Sequence, residues 1–332
     1  MTERSTSPCS LSGSRSAPLR VVTRRSVLAL TQTNWVIDQL QAAWPGLETE
    51  LVFASTTGDR DKSTPLTTLG QGVFVKGVEE MLLDGRADIA VHSLKDVPTL
   101  LTPGLELAAF PRRADPRDAL VCRAGVGRSL GQLPLGARVG TGSPRRAAQL
   151  LAMRPDVHVL PIRGNLDSRL AKLHGGEYEA LTLAVAGLER LGRTDELAQV
   201  FTVDECTPCV GQGTLGVQCR ADDAEILALV ARIDDVATRA ASLAERAFLA
   251  ALGGGCELPA GALGTVSGAG HGDDAPDGRM DLVGVVASAD GRDVVRLRTS
   301  GDMHGPAELG HELAQRLLSL ARTLLNAPAG SR

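Results

Sequence analysis

Short apolar runs alternate with helical patterns twice along this chain, and that rhythm constrains the fold more than any other feature. Residues 19–23, 50–54 and 87–91 read as strands. Helical spacing runs from Ser26, a capping residue, to about Ala43, and again over 73–83. Strand, helix and strand in that order call for a parallel sheet with helical crossovers. The order restarts after Asp115-Pro116-Arg117-Asp118, with strands expected at 138–141, 157–161 and 179–185 and helices at 144–153 and 165–174. Two such sets in tandem predict two similar lobes with a cleft between them, the usual place for a small-molecule site. A third unit follows. It is almost wholly helical over 224–252, with a break near Ile233-Asp234-Asp235, then has two strands at 280–287 and 293–299 and a final helix over 307–325.

Composition narrows the function. With 332 residues the chain is too long for one compact core. Apolar residues make up 43% but aromatics only 2%, so the core falls to Leu, Val and Ala, and no base-stacking surface for nucleic acid is available. The net charge of −4 gives no bulk attraction for polyanions, so an anion site must be a local cluster of Arg and Lys. Residues 1–18 are Ser-rich and lack an apolar run after their arginines, which predicts a disordered tail and no secretory signal. No apolar run reaches the length of a membrane span, and the expected location is the cytoplasm. Cys206-Thr207-Pro208-Cys209 has CxxC spacing but supplies only half a tetrahedral zinc site, so both read as loop cysteines and no metal is expected.

The chemistry gathers where strands end. Ile89, Ala90 and Val91 form a buried strand that runs into a polar turn carrying Ser93, Lys95 and Asp96, and Pro98 restricts the backbone just beyond. In open α/β sheets ligands bind at the carboxyl ends of strands. Gly140-Thr141-Gly142-Ser143-Pro144-Arg145-Arg146 lies between a strand and a helix, with Pro144 suited to the first helical position. Such a loop offers free N–H groups and the positive helix end to an anion, and the two arginines add forks that match carboxylates. Arg24, Arg163, Arg169 and Arg190 occupy comparable places, so the pattern predicts a ligand with many carboxylates. Cys256 follows three glycines on a loop free to approach another body closely, and its thiol is either a nucleophile or attachment point, or a small buried residue.

Taken together, these segments resemble the porphobilinogen deaminase (hydroxymethylbilane synthase) family from about Leu19 to the final helix. The motifs are Thr23-Arg24-Arg25-Ser26 with Leu28-Ala29 and Gln32, then DIAVHSLKDVP, DPRDAL, GTGSPRR, RGNLDSRLAKL, LAVAGLERLG, VGQGTLGV, and AERAFL followed by GGGC. The resemblance implies two lobes like type II periplasmic binding proteins and a small α+β C-terminal domain. It divides the chain into a tail (1–18), lobe 1 (19–112 plus 212–230), lobe 2 (113–211) and a third domain (231–332). It implies a dipyrromethane cofactor thioether-linked to Cys256, and porphobilinogen as the small-molecule substrate. Four porphobilinogens are then joined head to tail with loss of ammonia, and hydrolysis releases 1-hydroxymethylbilane. Asp96 matches the catalytic aspartate. Arg24, Ser26, Ser93, Lys95, Ser143, Arg145, Arg146, Arg163, Ser168, Arg169 and Arg190 match substrate- or cofactor-binding positions, and Gln32 and Phe74 match positions lining the cleft. A monomer is expected, with neither nucleic acid nor membrane as partner.

The departures from the family pattern cluster in the polar stretch 55–72, which reads as a lid. Thr57 stands where Arg is usual and Thr68 where Lys is usual, and Gly70-Gln71-Gly72 lacks a further Lys. Pro144 replaces a usual Leu. The expected consequence is weaker binding of substrate or intermediates with the chemistry intact, since Asp96 and Cys256 remain. Two other readings stay open at this point: a specialised paralog making another pyrrole oligomer, and a non-enzymatic anion-binding module on the same two-lobed fold.

Overall fold

The computed structural model describes residues 17–54, 75–253, 259–267 and 278–325. The chain begins with β1 (Leu19–Thr23), α1 (Val27–Ala43), β2 (Thr49–Phe53), α2 (Lys76–Leu83), β3 (Ile89–Ser93) and β4 (Leu105–Ala109). It then crosses into β5 (Asp118–Cys122), β6 (Arg138–Gly140), α3 (Pro144–Met153), β7 (His158–Leu160), α4 (Leu166–His174), β8 (Ala180–Ala184), α5 (Val185–Arg190) and β9 (Leu197–Val200). A second crossing returns it to β10 (Leu215–Arg220) and α6 (Ala224–Val230). The third unit is α7 (Val236–Ala251), β11 (Ala260–Val266), β12 (Arg279–Ala287), β13 (Val294–Asp302) and α8 (Pro306–Leu325).

The two lobes share one plan. The first sheet has the order β2-β1-β3-β10-β4 and the second β7-β6-β8-β5-β9. In each, one strand runs against the other four: β10 against β3 and β4, and β5 against β8 and β9. Those reversed strands are the first ones laid down after each crossing. The sheets are therefore mixed, where the strand–helix rhythm predicts parallel ones. Alternation reports the βαβ units correctly but is silent about a strand inserted from another part of the chain. This duplicated plan, joined by two crossings, is that of a type II periplasmic-binding-protein-like pair of lobes.

Strands β4, β5, β9, β10 and β11 lie outside the sequence-based expectation. In β10 the buried faces include Gly216 and Gln218, which break the apolar pattern. In β11 the glycines read as loop, yet they let α7 lie close: a Cβ on Gly264 would sit 2.9 Å from the Ala241 Cα. The third unit thus has an antiparallel β11-β12-β13 sheet rather than the two strands expected. Helix α7 and its partner α8 bury Ala244, Phe248, Leu313 and Leu317 against that sheet.

One buried carboxylate attaches the third unit to both crossings. Glu245 on α7 is fully buried and accepts from Arg113 of the first crossing (2.6 and 3.2 Å), from Gly211 N of the second (2.7 Å) and from Gly264 N on β11 (2.9 Å). A carboxylate this deep survives in water-poor surroundings because every contact is a donor. The crossings also touch each other, Ala114 N donating to Gly213 O at 3.3 Å.

Candidate active site

Strand β3 is buried up to its last residue, then becomes a single 3-10 turn, Leu94–Asp96. Leu94 and Val97 sink into an apolar cluster with Leu107 and Phe110, so Lys95 and Asp96 between them are held facing solvent. Leu94 N also donates to Thr214 O at 3.0 Å. The second crossing passes so close that a Cβ on Gly211 would lie 3.0 Å from Leu94 Cγ and 3.1 Å from Lys95 N, and Gly211 has φ +71°. Gly211→Ala is accordingly expected to lower stability by about 1–2 kcal/mol from backbone strain alone, read as a lower urea midpoint.

Two side-chain contacts fix the start of this turn. Gln32 Nε2 on α1 donates to Ser93 Oγ at 2.9 Å, which ties α1 to the end of β3. On the other face His92 is buried, with Nε2 2.9 Å from Gln218 Oε1, while Gln218 Nε2 donates to Glu79 at 2.9 Å. With the amide nitrogen turned to a carboxylate, its oxygen must face His92, so the imidazole donates from Nε2. Burial pushes the His92 pKa below its usual value and keeps the ring neutral.

Asp118, at the head of β5, is the hub of lobe 2. It is fully buried and binds Arg145 Nη1 (2.7 Å), Arg146 Nε (2.9 Å) and Gln212 Nε2 (2.8 Å). Arg145 also donates to Thr207 O at 2.7 Å, and Arg146 to Thr182 O at 3.0 Å and Gln212 Oε1 at 3.3 Å. Gln212 Oε1 lies 3.5 Å from Lys95 Nζ, which joins the hub to the acidic turn of lobe 1. Burial alone would raise the Asp118 pKa, but Arg145 and Arg146 outweigh it and hold the carboxyl well below the usual range. Burial, reinforced by Asp118 nearby, pushes the Cys206 thiol up to about 12, so it stays protonated and inert.

This arrangement corrects part of the sequence expectation. Arg145 and Arg146 do not stand as two open cations at a helix start: both are buried and committed to Asp118. The pattern of Gly, Ser and Arg is local, whereas Asp118 reaches them from another strand. Ser143 caps α3 by accepting from Arg146 N (3.4 Å), and Ser26 caps α1 by accepting from Ala29 N (3.3 Å). In α4 the cap is Asn165, and Ser168 Oγ turns back to Asn165 O at 3.0 Å.

The remaining cations keep solvent contact: Lys95 is exposed, and Arg24, Arg163, Arg169 and Arg190 are half-buried. Desolvation by the protein around Lys95, with the Arg146 charge, nonetheless lowers its pKa, against the pull of Asp96 and Asp118. Arg169 donates to Gly164 O at 2.8 Å, and burial and Arg146 lower its pKa. Arg190 donates to Gly213 O at 2.7 Å, and burial lowers its pKa to about 10. Neither makes an ion pair among the described residues. Arg24 and Arg163 are half-buried at the ends of β1 and β7. Phe74, Cys256 and the lid positions Thr57, Thr68 and Gln71 lie outside the described residues. Among the described residues no cluster suits a metal, Cys206 and Cys209 are free thiols, and no helix is long and apolar enough to cross a membrane.

Asp118, Gln212, His92, Gln218 and Glu79 were not legible as site residues. Asp118 left a signal, a charge heading the otherwise apolar run Asp-Ala-Leu-Val. His92, Gln218 and Glu79 sit within strands or a helix of ordinary composition, and Gln212 lies in a turn of the second crossing.

Fold and site together define a two-lobed α/β protein that sets one acidic turn at the end of a buried strand near cations from both lobes. The family profile described as porphobilinogen deaminase, dipyromethane cofactor binding domain, matches residues 19–228, and the porphobilinogen deaminase C-terminal domain matches 240–319. The porphobilinogen deaminase of Roseiflexus castenholzii is 49% identical over 301 residues, covering 90% of this chain and 95% of that protein. That of Acidothermus cellulolyticus is 48% identical over 316 residues, covering 93% and 92%. The chain belongs to the porphobilinogen deaminase family. A putative methionine-binding lipoprotein from Bacillus subtilis, 12% identical, matches 66% of this chain and 90% of its own, with a TM-score of 0.41, too low to add to the topology.

Proposed function

We propose that Asp96 is the reacting carboxylate of this hydroxymethylbilane synthase, set against a cation-lined cleft that holds the acetate and propionate groups of porphobilinogen and of the growing chain. The observation that carries this reading is the turn itself: Asp96 is exposed between two buried anchors, at the carboxyl end of β3, beside Lys95. In each condensation the aminomethyl C–N bond of a porphobilinogen breaks, ammonia leaves, a C–C bond forms to the free pyrrole α-carbon, and the ring proton departs. Positive charge develops near the pyrrole nitrogen as ammonia leaves. A fixed carboxylate stabilises that charge more in the transition state than in the ground state. Asp96 also takes the departing proton.

The cofactor fits the donor set, since Arg169 and Arg190 have no carboxylate partner among the described residues. Dipyrromethane, on Cys256 as the resemblance implies, supplies the α-carbon that accepts the first unit. Arg24, Lys95, Arg163, Arg169 and Arg190 bind carboxylates directly, with Ser26, Ser93, Ser143, Ser168 and Gln32 supplying hydrogen bonds. Arg145 acts through Asp118, and Arg146 shapes the field at Lys95. The domains divide at about 112, 212 and 230, and the protein works as a cytoplasmic monomer.

Intact mass of the wild type beside Cys256→Ser tests this reading. The expected result is an excess of two porphobilinogens less two ammonias on the wild type alone, with 1-hydroxymethylbilane released on incubation with porphobilinogen. No excess and no product overturns it. Release of a different oligomer favours a specialised paralog, for which the altered lid residues Thr57, Thr68 and Gln71 are the motive. Restoring Thr57→Arg and Thr68→Lys together is expected to lower KM several-fold with kcat nearly unchanged, because exposed charge pairs contribute about 0.2–1 kcal/mol each.

A further inference from the structure

Arg246 is buried on α7, immediately after Glu245, and pairs with no acid among the described residues. Its guanidinium meets three successive backbone carbonyls instead: Nη1 to Val97 O at 3.1 Å, and Nη2 to Pro98 O at 2.6 Å and Thr99 O at 3.1 Å. Burial depresses its pKa, and no carboxylate among the described residues offsets this. Three carbonyl dipoles take the place of water for this cation. The segment they belong to begins one residue after Asp96, and Pro98 has no N–H with which to tie it down.

The same loop is held at its ends by a different set. Glu79 on α2 receives Thr102 Oγ1 at 2.7 Å, and through Gln218 it reaches His92. The ends are therefore fixed within lobe 1, and the middle is fixed from the third unit. Glu245, on the same turn of α7, holds both crossings. One helical turn thus sets the position of the acidic loop relative to the crossings that join the lobes, and the chain beyond α7 leads within a few residues to Cys256.

We infer that Arg246 is a positioning residue for the condensation: by clamping the carbonyls of 97–99 it fixes the Asp96 loop against the third domain. The inference rests on Asp96 being the reacting carboxylate. Displacing a reacting group by about an ångström costs on the order of a hundredfold in rate, while carboxylate binding by the cleft cations is left in place.

The experiment compares Arg246→Gln, Arg246→Lys and Asp96→Asn as cofactor-loaded enzymes, by intact mass, kcat, KM and amide hydrogen exchange. The expected result for Arg246→Gln is retained cofactor mass, a 10- to 100-fold lower kcat, KM within threefold of wild type, and faster exchange confined to 94–104. Arg246→Lys, which keeps a charge and fewer donors, is expected to recover part of the kcat. Wild-type kcat in Arg246→Gln overturns the inference, as does faster exchange spread over the whole third unit. If Arg246→Gln does not fold, Arg246→Lys decides: reduced kcat with faster exchange in 94–104 supports the clamp, and wild-type values overturn it. Full turnover by Asp96→Asn removes the reading of Asp96 and the inference with it. An inactive Asp96→Asn beside a fully active Arg246→Gln removes the inference alone.

Discussion

Asp96→Asn is expected to lower kcat by about a thousandfold while KM, fold and loaded cofactor mass stay close to wild type. The size follows from what is removed. A positioned acid–base group contributes roughly 10²–10⁴ in rate, and a fixed charge aimed at a developing one contributes a similar factor. The amide keeps the shape of the side chain but neither stabilises a cation as a carboxylate does nor takes a proton. Stability is spared because Asp96 is exposed and the turn is anchored by Leu94 and Val97 instead. KM is spared because the cations that hold the substrate carboxylates are other residues. Equal losses in kcat and kcat/KM would mark an interaction made only in the transition state. A rise in KM with kcat unchanged would instead make Asp96 a binding residue.

Asp118→Asn is expected to destabilise the protein by about 3–5 kcal/mol, the cost of leaving a buried charge without its partner. Two arginines lose their counter-ion at once, and Gln212 loses the acceptor that aligns it toward Lys95. Acid reveals the same interaction in the wild type. The Asp118 carboxyl sits below its unfolded value, so the folded state binds fewer protons there than the unfolded chain. Its stabilisation is fully present above about pH 4, the unfolded carboxyl range, and is lost as pH falls through the depressed folded value. Urea midpoints measured from pH 7 downward are expected to show this acid loss in the wild type and a smaller one in Asp118→Asn. Equal midpoints for the two proteins at pH 7 would mean that the hub contributes little.

The sequence by itself determined the tandem βαβ rhythm, the helix starts at Ser26, Pro144 and Asn165, and the exposed acidic turn at Ser93, Lys95 and Asp96. All of these are local: a cap, a proline or an apolar run acts within a few residues of itself. Family motifs carried the cofactor and the substrate with them. Only the tertiary structure decided which charges are available. Arg145 and Arg146 read as open cations until Asp118, 27 and 28 residues earlier, takes them. Gln212 meets Asp118 across 94 residues, and Arg246 meets Val97 across 149. A buried ion pair or carbonyl clamp leaves no periodicity in the chain, because its partners are brought together by the packing of separate elements and not by spacing along one element.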